Sequence, residues 1–346
     1  MPSAVLKSIC REEPWSPGNT PDYMWEGMPP LTWSISRDSV LHYCERRYYF
    51  QYLVNARYNS RDAHQREVSL LKQLQSISAW QGDCFHAAVK QWASGARHNR
   101  PPSNGELLAQ LRQAMGKQWQ ESLSLVGKAA RAADVSCRLF EHEYGIHLPE
   151  DRLEAVINET SNWIGCFLAW AEDVDLRKAI ASARECWIDP DTFGPTAPGF
   201  RVEGQQVLVK VDLALKTRNG VFEIWDWKTG KIRERNPHRI DPAALQVNVY
   251  QLWPHLQLGV PLENIRAHLV YVARQPAEEV TYEIDADVRE YVLSIVRRSL
   301  DRVVHFSGRG IVADLDIEDF DYAVTPGLCR SCNFKRICLR SVGEEV

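Results

Sequence analysis

The sequence has no long hydrophobic run. No stretch approaches the ~20 apolar residues that cross a bilayer, and the first residues show no signal-peptide pattern. We therefore expect neither a membrane protein nor a secreted one. An excess of positive charge is also missing, since 41 Lys and Arg stand against 45 Asp and Glu for a net charge of −4. This excludes a protein coated with basic residues for nucleic-acid binding, but not a local basic groove.

The composition is that of a soluble globular protein. Hydrophobic residues make up 45% of the 346 positions and charged residues 25%, so the chain can bury a sizeable core. A chain of this length forms two domains, or one large domain with additions.

Cysteines are distributed unevenly. The chain has nine, an odd number, and a disulfide framework is a poor explanation for a chain this long. Three of them, Cys329, Cys332 and Cys338, fall within the last twenty residues, whereas the others are scattered. This asymmetry predicts a metal or cluster site in a protein of the reducing cytoplasm.

The hydrophobic pattern divides the first half of the chain into segments. Residues 1–30 are rich in proline and show little periodicity, which indicates a flexible arm. Helices are predicted over 31–104, where Phe85, Val89 and Trp92 form one apolar face. Residues 105–182 are predicted to be almost wholly helical, as an insertion that shapes a groove or holds a partner.

Strands are predicted after residue 183. Short apolar stretches lie at 184–188, 206–216, 221–227, 265–273 and 279–284, and helices are predicted at 241–258 and 286–306. This order describes an α/β (α+β) fold over 183–310, with a small mixed sheet and helices packed on it. Residues 311–346 form a last segment that carries the cysteine cluster.

Two acidic residues are predicted to lie side by side in this sheet. Period-two alternation places Asp212 in the middle of a strand, on the face opposite a row of valines and leucines. It places Asp226 and Lys228 on one face of the next strand and Glu223 on the other. A hairpin around residues 218–220 makes the two strands antiparallel neighbours.

The pair of carboxylates favours a bound cation. Two like charges a few ångströms apart repel unless a cation lies between them, and Mg²⁺ or Mn²⁺ takes oxygen ligands. Lys228 can orient a water at such a site and stabilise charge on a phosphate. The ordinary alternative is a cross-strand ion pair between Lys228 and Asp212. The metal site is favoured because the Asp-x-Lys sequence ends in Thr229-Gly230, where the strand opens into a loop.

Residues on two predicted helices fit the same site. Gln246 and Tyr250 are four positions apart, so they share one helix face and can hydrogen-bond a nucleic-acid backbone. The alternative is a polar pair at a packing interface. His86, which lies beside the apolar face of its helix, is either a structural histidine or the nitrogen ligand of the same cation.

A known family has these motifs in this order. The sequence resembles the PD-(D/E)XK nuclease superfamily, and within it the RecB-like nucleases, including the CRISPR-associated and single-strand-specific exonucleases. The motifs are Gly82-x-x-x-His86, Asp212, Asp226-Trp227-Lys228-Thr229-Gly230 and Gln246-x-x-x-Tyr250. The predicted strand order matches the αβββαβ core of that superfamily. The resemblance covers residues 31–92 and 183–340 and leaves the helical middle of the chain outside it.

The resemblance implies a role for each residue that matches a motif. His86, Asp212 and Asp226 would bind the divalent metal, with the carbonyl oxygen of Trp227 as a further ligand. Lys228 would be the catalytic lysine.

Residues around the metal ligands also have counterparts in the superfamily. Gln246 and Tyr250 would contact the DNA backbone or support the site, as would Lys231 in the loop after the strand. Glu185 matches a glutamate that the RecB-like branch often has in the preceding strand. The superfamily usually has glycine two residues before the first aspartate, and this sequence has Lys210. That departure concerns the path of the DNA at this point and not the metal ligands.

The cysteines at the end of the chain resemble an iron–sulfur staple. Cys329, Cys332 and Cys338 place three thiolates in one loop, and Cys44 is the strongest candidate for the fourth. A subset of RecB-like nucleases joins one early cysteine to three late ones around a [4Fe–4S] cluster. Four thiolates also suit Zn²⁺, which is the alternative. A zinc ribbon more often pairs two Cys-x-x-Cys knuckles, so the one-plus-three pattern favours the cluster.

Basic and aromatic residues flank the cysteines. Arg46, Arg47, Tyr48 and Tyr49 follow Cys44, and the late cysteines are accompanied by Arg330, Lys335, Arg336 and Arg340. A cluster that joined the two ends of the chain would concentrate positive charge beside aromatic rings, which suits single-stranded DNA. The alternative is an ordinary solvated surface.

The sequence therefore predicts a metal-dependent deoxyribonuclease with a structural [4Fe–4S] cluster. We expect an exonuclease acting on single-stranded DNA or DNA ends, with a helicase or a protein of a repair or defence complex as a further partner. The alternative is a DNA-binding or assembly subunit of such a complex, in which the nuclease fold acts as a clamp. The intact set of Asp212, Asp226 and Lys228 argues against that alternative.

Overall fold

The computed structural model describes residues 32–191, 197–230, 242–307 and 316–338. The predicted arm of residues 1–30 and the predicted DNA-contacting Lys231 lie outside the described residues.

Eight strands and eleven α-helices, together with a π-helix at Tyr49–Leu53 and short 3₁₀ helices, make up the regular structure of these residues. The strands are β1 (Thr32–Trp33), β2 (Glu185–Ile188), β3 (Gly199–Val202), β4 (Gln205–Leu208), β5 (Leu213–Lys216), β6 (Phe222–Lys228), β7 (Ile265–Tyr271) and β8 (Glu278–Glu283). The helices are α1 (Ile35–Tyr43), α2 (Glu45–Tyr48), α3 (Ala63–Leu71), α4 (Ile77–Arg97), α5 (Asn104–Ser124), α6 (Phe140–Glu143), α7 (Arg152–Asp173), α8 (Leu176–Ser182), α9 (Pro242–Leu258), α10 (Ala286–Ser307) and α11 (Lys335–Cys338).

The described residues divide into two compact units. The first comprises the described parts of 1–35, 178–271 and 278–308, and the second those of 36–177, 272–277 and 309–346. The first unit contains all eight strands, whereas the second is built from helices. The predicted α/β (α+β) class, a small mixed sheet with a large helical region, is confirmed.

The first unit contains a five-stranded sheet and a three-stranded sheet. The strand orders are β2-β5-β6-β7-β8 and β1-β4-β3. In the larger sheet β6 and β7 run parallel, and the other neighbours are antiparallel. Parallel neighbours need a crossover connection, which α9 supplies. The ring of Trp253 on this helix meets that of Phe222 on β6 edge to face at 5.4 Å, inside the hydrophobic core.

The predicted strand 206–216 is in fact two strands. β4 ends at Leu208 in the smaller sheet and β5 begins at Leu213 in the larger one. Asp212 therefore lies immediately before a strand, and the prediction that it lies mid-strand is wrong. The alternation persists through the break because Val209 and Val211 are fully buried between the two strands.

The second unit buries the apolar face that was predicted for α4. Phe85, Val89 and Trp92 are all buried. The rings of Phe85 and Trp92 both meet Phe167 of α7 edge to face, at 6.2 and 5.3 Å. Within the described ranges, no helix has the length and apolar character needed to cross a membrane.

The predicted helical insertion is less helical than expected. Helices α5, α7 and α8 cover most of 104–182, but 125–151 contains only α6 and a 3₁₀ turn at Ala132–Asp134. Gly127 and Gly145 both have positive φ, +68° and +60°. Glycine adopts this conformation without steric cost and ends helices in this way.

Candidate functional site

The hairpin between β5 and β6 brings Asp212 and Asp226 to the same end of the sheet. Leu213 lies opposite Trp225 in the antiparallel ladder, so Asp212 and Asp226 come next on the two strands. The backbone N–H of Trp227 donates to Oδ2 of Asp212 at 2.8 Å. This hydrogen bond fixes the Asp212 carboxylate against the neighbouring strand.

The predicted hairpin turn is confirmed. Thr217 N–H donates to the Val221 carbonyl at 2.8 Å, and Gly220 N–H donates to the Thr217 carbonyl at 3.2 Å. Gly220 has a φ of +90°, which favours glycine in this turn. The turn sets the register that pairs the two strands.

Lys228 forms an ion pair with the buried Asp226. Its Nζ lies 2.6 Å from Asp226 Oδ2, and the Asp226 residue is only 3% exposed. The structure thus pairs Lys228 with the carboxylate of its own strand, and the predicted alternative of a cross-strand pair with Asp212 is not what is observed. A buried carboxylate needs such a cation, since an isolated buried charge is costly.

Gln246 connects this ion pair to Tyr250. Its Oε1 accepts a hydrogen bond from Lys228 Nζ at 2.7 Å. Its Nε2 lies within donating distance of Asp226 Oδ1, at 3.2 Å, and of the Tyr250 hydroxyl oxygen, at 2.6 Å. The two α9 residues therefore share a helix face, as predicted, and that face meets the carboxylate and lysine of β6.

Tyr250 stays protonated at this position. Burial raises the pKa of Tyr250 well above its usual value, and the negative charges of Asp226 and Asp212 raise it further, against a smaller lowering by the hydrogen bond from Gln246. Both carboxylates are thus close enough to act on one phenol. The cluster of Asp212, Asp226, Lys228, Gln246 and Tyr250 is hereafter called the acidic site.

The donor set of the acidic site fits a hard divalent cation. It offers two carboxylates, and Mg²⁺ is commonly held by one or two carboxylates while it keeps several waters. Across the described part of the chain, no three His, Cys, Asp or Glu side chains meet at the spacing of a single bound ion. A two-carboxylate site of the Mg²⁺ type does not require a third such side chain.

Two further predicted site residues lie on other elements. His86 is half-buried on α4 in the second unit, with its ring edge-on to that of Phe85 at 5.6 Å; its role as a ligand stays a prediction. Glu185 pairs with Lys216 at the far end of β5, with 3.5 Å between Oε1 and Nζ. Four residues of strand separate that end from Asp212, roughly 13 Å at about 3.3 Å per residue, so Glu185 is not part of the acidic site.

All four predicted cluster cysteines line one cavity of the second unit. The cavity has a volume of about 120 Å³ and is hereafter called the cysteine cavity. Its cysteines are Cys44, Cys329, Cys332 and Cys338, and its remaining wall is largely apolar. The other cysteines among the described residues do not line it.

The thiols of the cysteine cavity lie close enough to influence one another. Burial raises the pKa of Cys44, and the nearby Cys329 raises it further, while the hydrogen bond that Arg47 N–H donates to its Sγ at 3.4 Å lowers it. Burial raises the pKa of Cys338 to about 11, against a lowering by Arg46 and together with raising by Cys332 and Cys44. Chain ends that are far apart in sequence therefore meet at this cavity.

The prediction that Arg46 contacts DNA is corrected by the structure. Arg46 is only 3% exposed. Its Nε donates to the Phe320 carbonyl at 3.0 Å, its Nη2 pairs with Glu318 at 2.7 Å, and its guanidinium lies 3.7 Å from the ring centroid of Tyr322. It holds the 316–322 segment against α2. Arg47 is exposed and borders the cysteine cavity.

Sequence reasoning missed a polar cluster on the opposite face of the large sheet. His268 of β7 joins Glu223 of β6 and Glu279 of β8, with 2.6 Å from Nε2 and 2.7 Å from Nδ1 to the carboxylate oxygens. Alternation had placed Glu223 on this face. Alternation alone could not show that His268 lies beside Glu223, because this depends on the parallel register of β6 and β7, which pairs Trp225 with His268.

Comparisons with known proteins establish the family. The profile of the PD-(D/E)XK nuclease superfamily matches residues 32–339, so the chain belongs to this superfamily. The predicted superfamily is confirmed, and membership implies a nuclease, which is a hydrolase. A search of curated proteins found no match.

Two solved structures are similar to the chain at low identity. SSO0001 is 14% identical, and the match covers 57% of this chain and 78% of that protein with a TM-score of 0.28. A protein from Eubacterium rectale named "Putative exonuclease" is 12% identical, and the match covers 71% of this chain and 89% of that protein with a TM-score of 0.35.

Proposed function

We propose that the chain is a metal-dependent deoxyribonuclease whose catalytic centre is the acidic site. The observation that carries this proposal is the joining of Asp226, Lys228 and Gln246 by contacts of 2.6 to 3.2 Å, with Asp212 beside them. Membership of a nuclease superfamily supports phosphodiester hydrolysis as the reaction. Two neighbouring carboxylates repel each other unless a cation lies between them, which favours a metal site over a purely structural role.

The proposed metal is Mg²⁺ or Mn²⁺. Asp212 and Asp226 would hold it, with the carbonyl oxygen of Trp227 as a further ligand, and the family resemblance adds His86 to this ligand set. Such an ion, when bound, polarises a phosphate oxygen and lowers the pKa of a bound water. The hydrogen bond from Trp227 N–H orients Asp212 for this role, because it fixes one oxygen of the carboxylate.

Lys228 is proposed to act on the phosphate and the attacking water. Its Nζ is held between Asp226 and Gln246, so its positive charge is positioned before substrate arrives. A preorganised cation stabilises negative charge that develops in the transition state without further reorganisation. Gln246 and Tyr250 hold Lys228 and Asp226 in this arrangement.

A structural [4Fe–4S] cluster is proposed for the cysteine cavity. Four thiols that share one cavity support it, and the cationic Arg46 and Arg47 near the sulfurs would offset the charge of thiolate ligands. A tetrahedral Zn²⁺ would need all four sulfurs within about 2.3 Å of one point. The sequence favours the cluster over zinc, because one early cysteine joins three late ones where a zinc ribbon more often pairs two Cys-x-x-Cys knuckles. A brown colour distinguishes it from colourless zinc protein.

The proposed substrate is single-stranded DNA or a DNA end, cleaved by an exonuclease. The resemblance to RecB-like exonucleases supports this choice, as does the exposed Arg47 beside the cysteine cavity. Arginine beside apolar and aromatic side chains suits a flexible strand, whose bases can stack.

The experiment uses DNA labelled at the 5′ or the 3′ end, single-stranded or duplex, with Mg²⁺, Mn²⁺ or chelator under anaerobic conditions. We expect cleavage only with metal, and loss of cleavage in Asp226→Ala and Lys228→Ala. Glu185→Ala is the matched control, because it removes a carboxylate from the same sheet away from the acidic site. Undiminished cleavage by Asp226→Ala would contradict the assignment of the acidic site as the catalytic centre. DNA binding without cleavage by the wild type would favour the assembly-subunit alternative.

A further inference from the structure

The C-terminal segment that carries two of the cavity cysteines is held by an ionic network. Arg336 lies between Cys332 and Cys338 in sequence. Its Nε pairs with Glu67 of α3 and its Nη1 with Glu143 of α6, both at 2.9 Å. These contacts join a residue near the end of the chain to two helices that lack cavity cysteines.

The α6 partner is a deeply buried carboxylate. The Glu143 side chain is 2% exposed, and its Oε2 accepts a hydrogen bond from Gly127 N–H at 3.0 Å. The buried Arg138 lies 3.6 Å from the same oxygen, and it donates to the carbonyls of Leu125 and Lys128. A buried carboxylate is stable only when cations or hydrogen-bond donors compensate its charge. Arg138 and Gly127 lie at Oε2, and Arg336 is the cation at Oε1.

Neutral contacts hold the same segment from two further directions. The Tyr144 hydroxyl donates to the Asn333 carbonyl at 2.7 Å, and Asn333 Nδ2 donates to the Leu74 carbonyl at 2.7 Å. The ring of Phe334 stacks on that of Phe50 at 5.2 Å in a buried cluster. The segment therefore has contacts that do not involve sulfur.

We propose that α6 and its Glu143 form a docking platform that positions the 332–338 segment, so that Cys332 and Cys338 face the cysteine cavity before any metal binds. The role of this platform in cluster assembly rests on the proposed [4Fe–4S] cluster. The platform lowers the ordering cost of cluster assembly, since a preorganised site does not spend binding energy on fixing its ligands. This gives part of the helical region 105–182 a role, which is to support the cysteine segment. Arg336 and Tyr144 are thereby positioning residues.

The test compares Arg336→Met and Tyr144→Phe with the control Arg112→Met. Arg112 also pairs with a glutamate, Glu154, but in an exposed pair with side chains 51% and 57% exposed. Amide hydrogen exchange is measured on the metal-free protein. Iron per chain is measured after anaerobic reconstitution with ferrous iron and sulfide.

We expect exchange of the 335–338 amides to become roughly tenfold faster in Arg336→Met, with a smaller change in Tyr144→Phe and none in Arg112→Met. Amides of α4, which belongs to the same unit as the variants, should keep their wild-type exchange in every variant, which shows that this unit is folded. Iron loading should fall in the same order. Tyr144→Phe is the mild variant that keeps the test decisive if Arg336→Met does not fold.

The outcomes separate this proposal from the proposed cluster. If the wild type binds no iron and exchange is nevertheless faster in the two variants, the platform is supported and the cluster is rejected. Wild-type exchange and wild-type iron loading in both variants would overturn the platform and leave the cluster standing. Unprotected 335–338 amides in the metal-free wild type would also overturn the platform, because the segment would then be ordered only by metal.

Discussion

The side-chain amide of Gln246 and the ammonium of Lys228 are joined by a hydrogen bond of 2.7 Å that crosses from α9 to β6. Without it, Lys228 keeps its ion pair with Asp226 but loses the contact that fixes its direction. A lysine side chain that is free to rotate can form the ion pair with the carboxylate in several conformations, whereas catalysis requires one defined position of its ammonium group. The helix that serves as the crossover of the sheet thus also positions the proposed catalytic lysine.

Replacement of Gln246 is expected to affect the rate more than the stability. We expect Gln246→Ala to lower kcat roughly 10- to 100-fold, with little change in KM, because no direct substrate contact is removed. The measurement is steady-state cleavage of labelled DNA beside a urea unfolding curve. Gln257→Ala is the matched control on the same helix, where the side chain only accepts from Trp253 Nε1 at 2.6 Å. Equal rates in the two variants would contradict a positioning role for Gln246.

Local patterns were enough to predict this part of the acidic site. The alternation of β6 and the glycine turn at 220 predict the hairpin, and the hairpin register alone places Asp212 beside Asp226. The helical spacing of Gln246 and Tyr250 places both on one face of α9. Each of these features depends on residues within about one turn or one hairpin of each other.

Other features had no local signal. The break between β4 and β5 carries no glycine or proline, and burial of Val209 and Val211 continues the strand pattern through it. The buried Arg46 pairs with Glu318, 272 positions away, and the ion pair of Glu143 with Arg336 spans 193 positions. Such pairs follow from tertiary structure, which periodicity does not encode.

The proposed metal site predicts stabilisation by divalent ions. A ligand that binds only the folded protein raises its free energy of unfolding by RT ln(1 + [L]/Kd). We therefore expect Mn²⁺ to raise Tm in the wild type, by a few degrees at about 100 times Kd, and not in Asp212→Asn. The substitution removes a charge at similar size, so the increment that Mn²⁺ adds to the Tm of each protein, and not the Tm itself, reports cation binding. The measurement is a thermal melt with and without Mn²⁺.

Glu223→Gln is the control for this experiment. It removes a carboxylate from the same strand as Asp226, on the opposite face, where Glu223 contacts His268. Its own Tm is expected to fall, but the increment that Mn²⁺ adds should match that of the wild type. An undiminished Mn²⁺ increment in Asp212→Asn would contradict the assignment of Asp212 as a ligand.

The cysteine cavity predicts which cysteines matter. We expect Cys329→Ala to lose iron and visible absorbance after reconstitution and to show a lower Tm, because a cluster bound to the folded chain stabilises it. Cys166→Ala is the control, since Cys166 is a partly buried thiol of α7 that does not line the cavity. Iron analysis and absorption spectra provide the measurement. Equal iron content in the two variants would reject the cluster assignment.

The bridge from His268 to Glu223 and Glu279 predicts a pH-dependent stability. Burial lowers the pKa of His268, but the hydrogen bonds and charges of the two glutamates together raise it above the usual value. A group whose pKa is higher in the folded state stabilises the fold fully below its unfolded pKa, and this contribution disappears as the pH rises through the folded pKa. The protonated His268, which bridges β6, β7 and β8 through the two glutamates, should therefore stabilise the fold most in mildly acidic solution.

We expect His268→Gln to lower the free energy of unfolding by about 1–3 kcal/mol at mildly acidic pH, and by less as the pH rises above the folded pKa of the histidine. Urea unfolding of the wild type and of His268→Gln, at a series of pH values above the pKa of glutamate, gives the difference in the free energy of unfolding. Glu279→Gln should show a smaller difference of the same sign, because one of the two carboxylates that raise the histidine pKa remains. A difference that grows with rising pH would mean that His268 is neutral in the fold and that burial outweighs its two carboxylate partners.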